Sequence, residues 1–256
     1  MNPLQVTIIG AGTVGGHLAS ILHTNAEAIQ ARCGRKIQLR AIASLDFTVA
    51  ERLGLPQALY TTDTEAAITD PDTDVVVELI GGIHPAKEFI IQALEAGKHV
   101  VTANKALLAY HGHELMEIAR KNEVSLAFEA SCAGGVPIIR VLTEALLGEQ
   151  IEAIYGILNG TCNYILSQMS SSSYEEALAQ AQELGLAEAD PTLDVSGEDT
   201  AHKIAILSTL AFGVRVPMEK IQTIGIDQLD PVDIRYAERL GYVVKLIAMA
   251  QRTSEG

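Results

Sequence analysis

The densest charged segment of the chain leads into one lysine, Lys203. Within the fifteen residues before it stand five carboxylates, those of Glu188, Asp190, Asp194, Glu198 and Asp199. The apolar run after Lys203 predicts a buried helix, so a cation and several anions would lie together near the start of that helix. Charges in such a place need partners or a function, and general acid–base chemistry is one function that they could perform.

The spacing around Lys203 predicts its local geometry. Ser196 is expected to be the N-cap of the helix, with Asp199 completing a variant of the capping box. Asp199 and Lys203 are four residues apart, so one helix face would bring them close enough to pair. Taken alone, these residues leave two interpretations open: a functional site, or a solvated acidic loop with one surface salt bridge.

A glycine-rich loop follows the first apolar run of the chain. Gly10, Gly12 and Gly15 have the GxGxxG spacing, directly after a predicted strand and at the start of an amphipathic run. In that context Gly10 permits a tight turn, Gly12 lets the backbone approach a pyrophosphate, and Gly15 allows close helix–strand packing. The loop therefore predicts a dinucleotide site, with the phosphates at the helix N-terminus.

The choice of dinucleotide stays open at this point. Ser44 ends the second predicted strand, and Asp46 follows two residues later. Asp46 could accept a hydrogen bond from the 2′-hydroxyl of NAD, whereas Ser44 could tolerate the 2′-phosphate of NADP. No arginine adjoins Ser44, because Arg40 lies inside the strand. NAD and NADP both remain candidates, with a slight preference for the phosphorylated form.

Polar side chains also mark the ends of later strands. Gly81 ends one strand in a glycine pair that would let a flat ring lie against the backbone, and Thr102 ends another, three residues before Lys105. A helix N-terminus disfavours a cation, so Lys105 is expected to be functional. Because ligands bind at the carboxyl ends of parallel strands, we expect Lys105 to face Lys203 across a domain cleft beside a nicotinamide. Such a site suits hydride transfer to a carbonyl that carries an amino-acid group.

Strand-like and helix-like runs alternate through the first half of the chain, which predicts an α/β fold with a doubly wound parallel sheet of the Rossmann type over residues 1–135. Its strands are expected at 4–9, 37–43, 74–80, 99–102 and 124–129, and its longer helices at 85–96 and 109–121. The pattern then changes, and residues 136–256 are predicted to form a smaller α+β domain for substrate binding and dimerisation. Its elements are expected to be helices at 137–147, 162–169, 173–184, 196–212 and 231–240 and strands at 150–158 and 242–251.

Composition excludes several classes of protein. The chain has 256 residues and a net charge of −14, which disfavours nucleic acid and anionic membranes as partners. It shows no signal-peptide pattern and no apolar run long enough to span a membrane. Cys33, Cys132 and Cys162 are too few and too widely spaced for a disulfide framework or a zinc motif, which favours a reducing cytoplasmic location.

The order of the motifs along almost the whole chain resembles the homoserine dehydrogenase family. The stretches that carry the resemblance are the glycine loop, ELIGG at 78–82, VTANKAL at 101–107, FEAS at 128–131 with GGVPII at 134–139, GILNGT at 156–161, and the acidic segment from 186 to Lys203. The resemblance implies reversible reduction of L-aspartate 4-semialdehyde to L-homoserine with NADPH or NADH, on the route to threonine, methionine and isoleucine.

The resemblance also implies a role for each matching residue. Lys203 would be the general acid in reduction and the general base in oxidation, and Lys105 would approach the reacting oxygen. Glu188 and Asp199 would bind the polar groups of the substrate. The dinucleotide would contact Gly10, Gly12, Thr13, Val14, Gly15, Gly81, Thr102, Lys105 and Gly185.

A monovalent cation, usually sodium, is a further expectation from the resemblance. Its ligands would be the Glu129 carboxylate and the backbone carbonyls of Cys132, Gly134 and Val136, an oxygen set that suits a hard ion. Cys132 and Ala133 stand where the family usually has Val and Gly, so the conformation of this loop is open. The Cys132 side chain itself is expected to be a small packed hydrophobe.

One departure from the family and two alternative functions complete the sequence-based picture. Family members continue beyond the run at 242–251, so we expect that run to lack a hairpin partner. Either the chain is a truncated product, or a second copy covers this edge in a homodimer or higher oligomer. The last five residues are expected to form a turn.

One alternative is a dehydrogenase of the same fold for another aldehyde or a sugar, against which Asn104-Lys105-Ala106 argues, since those enzymes usually carry Glu-Lys-Pro. The other is a non-catalytic dinucleotide-binding module.

Overall fold

The computed structural model describes residues 2–253 of the chain. They divide into two compact units, the first ending at Pro137 and the second beginning at Ile138. Residues 254–256, which belong to the turn expected at the end of the chain, lie outside the described residues.

The first unit is built on a six-stranded parallel sheet in the order β3-β2-β1-β4-β5-β6. Chain order reverses direction between β1 and β4, which is the switch point of a doubly wound sheet. This architecture confirms the predicted fold class. The strands are β1 (Leu4–Ile9), β2 (Ile37–Ala43), β3 (Tyr60–Thr61), β4 (Val75–Glu78), β5 (His99–Thr102) and β6 (Leu126–Ala127).

Helices connect these strands and supply two apolar clusters that cover the sheet. One cluster contains Ile90 and Leu115 from two of the helices, and the other contains Ala19 and Ala50 from two more. Burial by helices explains why β1 and β4 are mostly apolar rather than regularly alternating. The helices are α1 (Thr13–Thr24), α2 (Ala26–Cys33), α3 (Thr48–Arg52), α4 (Thr64–Thr69), α5 (Ala86–Glu95) and α6 (Lys105–Lys121), with a short 3₁₀ turn at Gln57–Leu59.

The largest differences from the sequence-based expectation in this unit lie at α6 and β6, while β4 is also shorter than the strand predicted at 74–80. Helix α6 begins four residues earlier than predicted, because the Asn104 side chain caps it by accepting a hydrogen bond from the Leu107 amide at 3.1 Å. The strand expected at 124–129 is wrong in length. It ends at Ala127, because the chain turns into a 3₁₀ segment at Glu129–Ser131, where the Ser131 hydroxyl donates to the Phe128 carbonyl at 2.6 Å.

The second unit packs helices around a small sheet. Its core cluster joins Ile165 and Ala181 from two helices with Ile226 and Ile234. The helices are α7 (Ile138–Arg140), which continues as a π turn at Val141–Ala145, then α8 (Gly160–Gln168), α9 (Tyr174–Glu183), α10 (Thr192–Val195), α11 (Glu198–Phe212) and α12 (Pro231–Arg239), with a 3₁₀ turn at Met218–Lys220.

Two strands, β7 (Ala153–Gly156) and β8 (Ala248–Gln251), pair antiparallel in this unit. Both are shorter than the predicted strands at 150–158 and 242–251. The second was expected to lack a hairpin partner, and the described β8 pairs instead with β7, almost a hundred residues earlier, with Gly156 opposite Ala248. The two strands are far apart in sequence, so their pairing is long-range and does not form a hairpin.

Within residues 2–253 no helix is long and apolar enough to cross a membrane. In the same residues no disulfide joins the three cysteines. Cys33 is exposed, and Cys132 and Cys162 are buried.

Candidate active site

The loop between β1 and α1 has the backbone geometry that its glycines predict. Gly10 has φ +98°, and a β-carbon there would approach the Leu79 carbonyl oxygen to 2.7 Å. A β-carbon at Gly15 would collide with the Gly10 carbonyl oxygen, so helix α1 can lie this close to β1 only with glycine. Around Gly12, in contrast, nothing lies within 4 Å of the β-carbon position.

The amino end of α1 carries no side-chain cap, since its N-cap is Gly12. Its first amide groups are therefore left without side-chain partners, as a helix that receives phosphate groups would have them. Open space at Gly12 and a tight fit at Gly10 and Gly15 together suit the close approach of a pyrophosphate. Thr13 and Val14, the other residues expected to contact the dinucleotide, form the first turn of this helix.

One buried carboxylate ties together the strand ends expected near the nicotinamide. Glu78, the last residue of β4, is fully buried. Its Oε1 accepts hydrogen bonds from the amides of Ile80 (2.8 Å) and Gly81 (3.2 Å), and its Oε2 accepts one from the Thr102 hydroxyl at 2.6 Å. The ends of β4 and β5 are thereby locked to each other. Sequence analysis gave Glu78 no role, although an acid in an otherwise apolar strand was a signal for one.

Asn104 extends this arrangement to the first lysine. Its Nδ2 donates to the Gly82 carbonyl at 2.6 Å, while its Oδ1 caps α6, whose first residue is Lys105. Gly81 and Gly82 both have positive φ, +76° and +71°, which glycine adopts without strain. The structure therefore holds Gly81, Thr102 and Lys105 at one edge of the sheet.

The loop expected to bind a cation lies at the end of the first unit. Glu129 opens the 3₁₀ turn, and Cys132 is buried, as expected of a packed hydrophobe. Ala133 has φ +48°, a left-handed conformation that costs a residue with a β-carbon about 1–2 kcal/mol. The turn is closed by the Val136 amide, which donates to the Ala133 carbonyl at 2.8 Å. Alanine at this position thus keeps a glycine-like conformation.

No group of three or more His, Cys, Asp or Glu side chains in residues 2–253 is arranged to hold a metal ion. The expected cation site uses one carboxylate and three backbone carbonyls, so it is a different kind of site. Such an oxygen set fits a hard monovalent ion and would not suit a transition metal.

In the second unit, Asp199 and Lys203 form the predicted pair on α11. Lys203 Nζ lies 2.6 Å from Asp199 Oδ2, and the two side chains are 17% and 4% exposed. Lys203 Nζ also donates to the Leu158 carbonyl at 2.8 Å. Because Asp199 is buried and Lys203 is largely shielded from solvent, the interpretation as a solvated surface salt bridge does not describe this pair.

Asn159 links the pair to a second carboxylate. Its Nδ2 donates to Asp199 Oδ2 at 2.9 Å and to Asp194 Oδ1 at 2.6 Å, while its Oδ1 caps α8 through the Cys162 amide at 2.8 Å. The sequence analysis did not predict the contact with Asp199. Forty residues separate the two in sequence, and no local pattern signals such a contact.

The start of α11 corrects one prediction. Ser196 is not its N-cap but the residue that ends α10, and the N-cap is Gly197 with φ +83°. Gly197 turns the chain sharply, so the predicted capping box does not form. Asp199 turns instead toward Asn159 and Lys203, while Glu198 remains exposed.

Gly185 and Glu188 follow α9 in an exposed segment of the second unit. Gly185 has φ +70°, and Gln182 Nε2 donates to the Glu188 carbonyl at 3.1 Å. Asp190 accepts from the Thr192 amide and hydroxyl, at 3.1 and 2.5 Å, and so stabilises the start of α10. The predicted contacts of Gly185 with a dinucleotide and of Glu188 with a substrate stay predictions.

Comparison with known proteins identifies the family. A family profile described as the NAD-binding domain of homoserine dehydrogenase matches residues 10–129, and the homoserine dehydrogenase profile matches residues 137–255. A putative homoserine dehydrogenase from Archaeoglobus fulgidus is 35% identical with a TM-score of 0.85, over 97% of this chain and 81% of that one. This chain belongs to the homoserine dehydrogenase family.

Other members of the homoserine dehydrogenase family are more similar in sequence. The homoserine dehydrogenase of Neisseria gonorrhoeae is 46% identical over the whole of this chain and 59% of its own length. A homoserine dehydrogenase structure from Thiobacillus denitrificans has a TM-score of 0.93 at 47% identity, and this chain covers 60% of it. The chain thus spans about three fifths of the length of these two relatives.

Cys162, beside Asn159, is not a candidate nucleophile. Burial raises the pKa of its thiol to about 12, and the negative charges of Asp194 and Asp199 add to the increase. The group therefore stays protonated at neutral pH, and its Sγ donates to the Asp194 carbonyl at 3.0 Å. The Cys162 side chain therefore serves as a packed residue of the second unit's core.

Proposed function

We propose that this chain carries out the homoserine dehydrogenase reaction, the reversible reduction of L-aspartate 4-semialdehyde to L-homoserine with NAD or NADP. The observation that carries the proposal is the buried Lys203–Asp199–Asn159 network in a unit of this family, together with the glycine loop. When bound, the nicotinamide supplies the hydride in reduction and accepts it in oxidation.

Lys203 supplies the proton in this proposal. In reduction its ammonium gives a proton to the aldehyde oxygen as the carbon receives hydride, and in oxidation the neutral amine takes the proton from the homoserine hydroxyl. Asp199 and the Leu158 carbonyl fix the position of Nζ. General acid–base help of this kind contributes roughly 10²–10⁴-fold to the rate.

The remaining roles follow the family resemblance. Glu188 and Asp199 bind the ammonium of the substrate, and Lys105 approaches the reacting oxygen from the first unit. Glu129, with the carbonyls of Cys132, Gly134 and Val136, holds a monovalent cation such as sodium. The protein works as a homodimer or a higher homo-oligomer.

The test is a spectrophotometric assay of homoserine-dependent NAD or NADP reduction by the chain and by Lys203→Ala. We expect turnover to fall by roughly 10²–10⁴-fold while dinucleotide affinity changes little. Lys220→Ala is the matched control, because Lys220 is an exposed lysine of the same unit and should leave turnover unchanged. Near-normal turnover in Lys203→Ala would contradict the role of Lys203, and dinucleotide binding with no turnover on any aldehyde would favour a binding module.

A further inference from the structure

A pocket of about 800 Å³ opens beside the carboxyl ends of β1 and β2 in the first unit. In a doubly wound sheet the adenosine half of a dinucleotide binds next to the second strand, where an acid can accept from the ribose 2′-hydroxyl. The residues that line this pocket are Ile9, Ala43, Ser44, Leu45, Asp46, Thr62, Asp63, Thr64, Glu65, Ile80, Pro85 and Phe89.

The charges of this pocket are all negative. Asp46, Asp63 and Glu65 line it, and its described lining includes no lysine, arginine or histidine. Leu45 is 92% exposed and brings no charge. A 2′-phosphate, which carries a charge of about −1.5 to −2 at neutral pH, would therefore meet carboxylates without a cation to hold it.

Arg40, the arginine of strand β2, is engaged elsewhere. Its Nε lies 3.0 Å from Asp70 Oδ2 and its Nη2 lies 3.2 Å from Asp72 Oδ2. Both acids precede β4, so this ion pair lies at the amino ends of the strands, away from the edge where the glycine loop stands.

Asp46 is held in place and ionised. Its Oδ1 accepts hydrogen bonds from the Thr48 amide at 2.9 Å and the Thr48 hydroxyl at 2.6 Å. These bonds lower the pKa of the Asp46 carboxyl, the hydroxyl bond most. The Ser44 hydroxyl donates to the Asp46 carbonyl at 2.8 Å, so the serine considered as a phosphate ligand already serves this turn.

We propose that this chain prefers NAD to NADP, with Asp46 accepting a hydrogen bond from the ribose 2′-hydroxyl and repelling a 2′-phosphate. The inference rests on the proposed function, because it assumes that the glycine loop holds a dinucleotide. It reverses the slight preference for NADP that the sequence alone suggested. The physical reason is that a hydroxyl gains a charge-assisted bond from a carboxylate, whereas a phosphate gains only like-charge repulsion.

The first test is binding of NADH and NADPH to the full chain, followed by the fluorescence of the reduced nicotinamide. We expect the hydrogen bond from the ribose 2′-hydroxyl to the Asp46 carboxylate to make NADH bind roughly 10–100-fold tighter than NADPH. Raising the salt concentration should narrow this difference, because screening weakens the repulsion. Equal or tighter binding of NADPH at low salt would overturn the inference while leaving the proposed reaction intact.

The second test uses Asp46→Asn, which removes the charge but keeps an oxygen for the Thr48 hydrogen bonds. We expect NADPH to bind roughly tenfold tighter to this variant, and Leu45→Arg with Asp46→Asn to favour NADPH outright. Asp72→Asn is the matched control, since it removes one carboxylate of the same unit at the opposite end of the strands and should change neither affinity. An unchanged NADH-to-NADPH ratio in Asp46→Asn would show that Asp46 is not the determinant.

Binding and turnover separate this inference from the proposed function. Tighter binding of NADH without homoserine oxidation would support the inference and contradict the proposed reaction. Failure of both dinucleotides to bind a chain that is folded by circular dichroism would overturn both.

Discussion

The two units organise their candidate residues in different ways. In the first unit, backbone geometry does most of the positioning: a glycine loop, strand ends and a capped helix hold the expected dinucleotide residues, and the parallel strand order brings the strand ends together. In the second unit, buried side chains do it, since Lys203 and Asp199 depend on Leu158 and Asn159, forty or more residues away. Sites of the first kind are readable from local patterns, and sites of the second kind are not.

Asp199→Ala gives the largest expected effect and tests whether the second unit depends on its buried pair. It removes the buried carboxylate that pairs with the partly buried Lys203 ammonium, which should lower the free energy of unfolding by up to about 3–5 kcal/mol. Urea unfolding measures this loss. Glu144→Ala is the control, because Arg140 and Glu144 form a pair of the same i,i+4 spacing that is 68% and 61% exposed, and its loss should barely change the free energy of unfolding. Equal losses in the two variants would show that burial of the Asp199–Lys203 pair has no energetic consequence.

Gly15→Ala probes the backbone-built site of the first unit. The added β-carbon collides with the Gly10 carbonyl, so α1 must move away from β1, at an expected cost of about 1–3 kcal/mol in unfolding free energy. Gly12→Ala is the matched control for stability, because open space surrounds that β-carbon. It should unfold like the parent chain but bind dinucleotide more weakly, and a stable Gly15→Ala would refute the close-packing argument.

Asn159→Ala separates helix capping from positioning. Loss of the α8 cap should lower the free energy of unfolding by about 0.5–2 kcal/mol. Asn104→Ala removes an equivalent cap in the first unit, so the two should cost similar stability. Because Asn159 also bonds to Asp199, we expect the pH profile of kcat to shift in Asn159→Ala but not in Asn104→Ala. An unshifted profile in Asn159→Ala would show that Asn159 only caps α8.

The buried thiol of Cys162 predicts the smallest effect, a pH dependence of stability. Its pKa rises from 9.0 in the unfolded chain to about 12 in the folded one, so the folded state keeps a proton that the unfolded state loses. The contribution is fully present below pH 9 and is lost as pH rises from about 9 toward 12. Between pH 8 and 10 the parent chain should lose about 1 kcal/mol more unfolding free energy than Cys162→Ala. Parallel pH profiles for the two chains would contradict this.

Local patterns predicted most of the first unit and less of the second. Strand β1 and strand β2 have the predicted bounds, because their apolar residues mark segments that the sheet buries. The strands at 150–158 and 242–251 were predicted too long, because a two-stranded sheet does not need the whole apolar run. Ser196 was a plausible N-cap because serine is a common capping residue. Gly197 takes that position instead, with a left-handed backbone, and only the packing around Gly197 reveals this.

By itself the sequence determined the glycine loop, the doubly wound sheet, the i,i+4 pairing of Asp199 with Lys203 and the order of motifs that marks the family. Each of these depends on spacing along the chain, which fixes geometry through helical and strand periods. The tertiary structure alone decided that the pair is buried, that Asn159 and Leu158 hold it, that Glu78 joins two strand ends, and that β8 pairs with β7. Contacts between distant residues arise from the packing of whole elements, so no short stretch of sequence contains them.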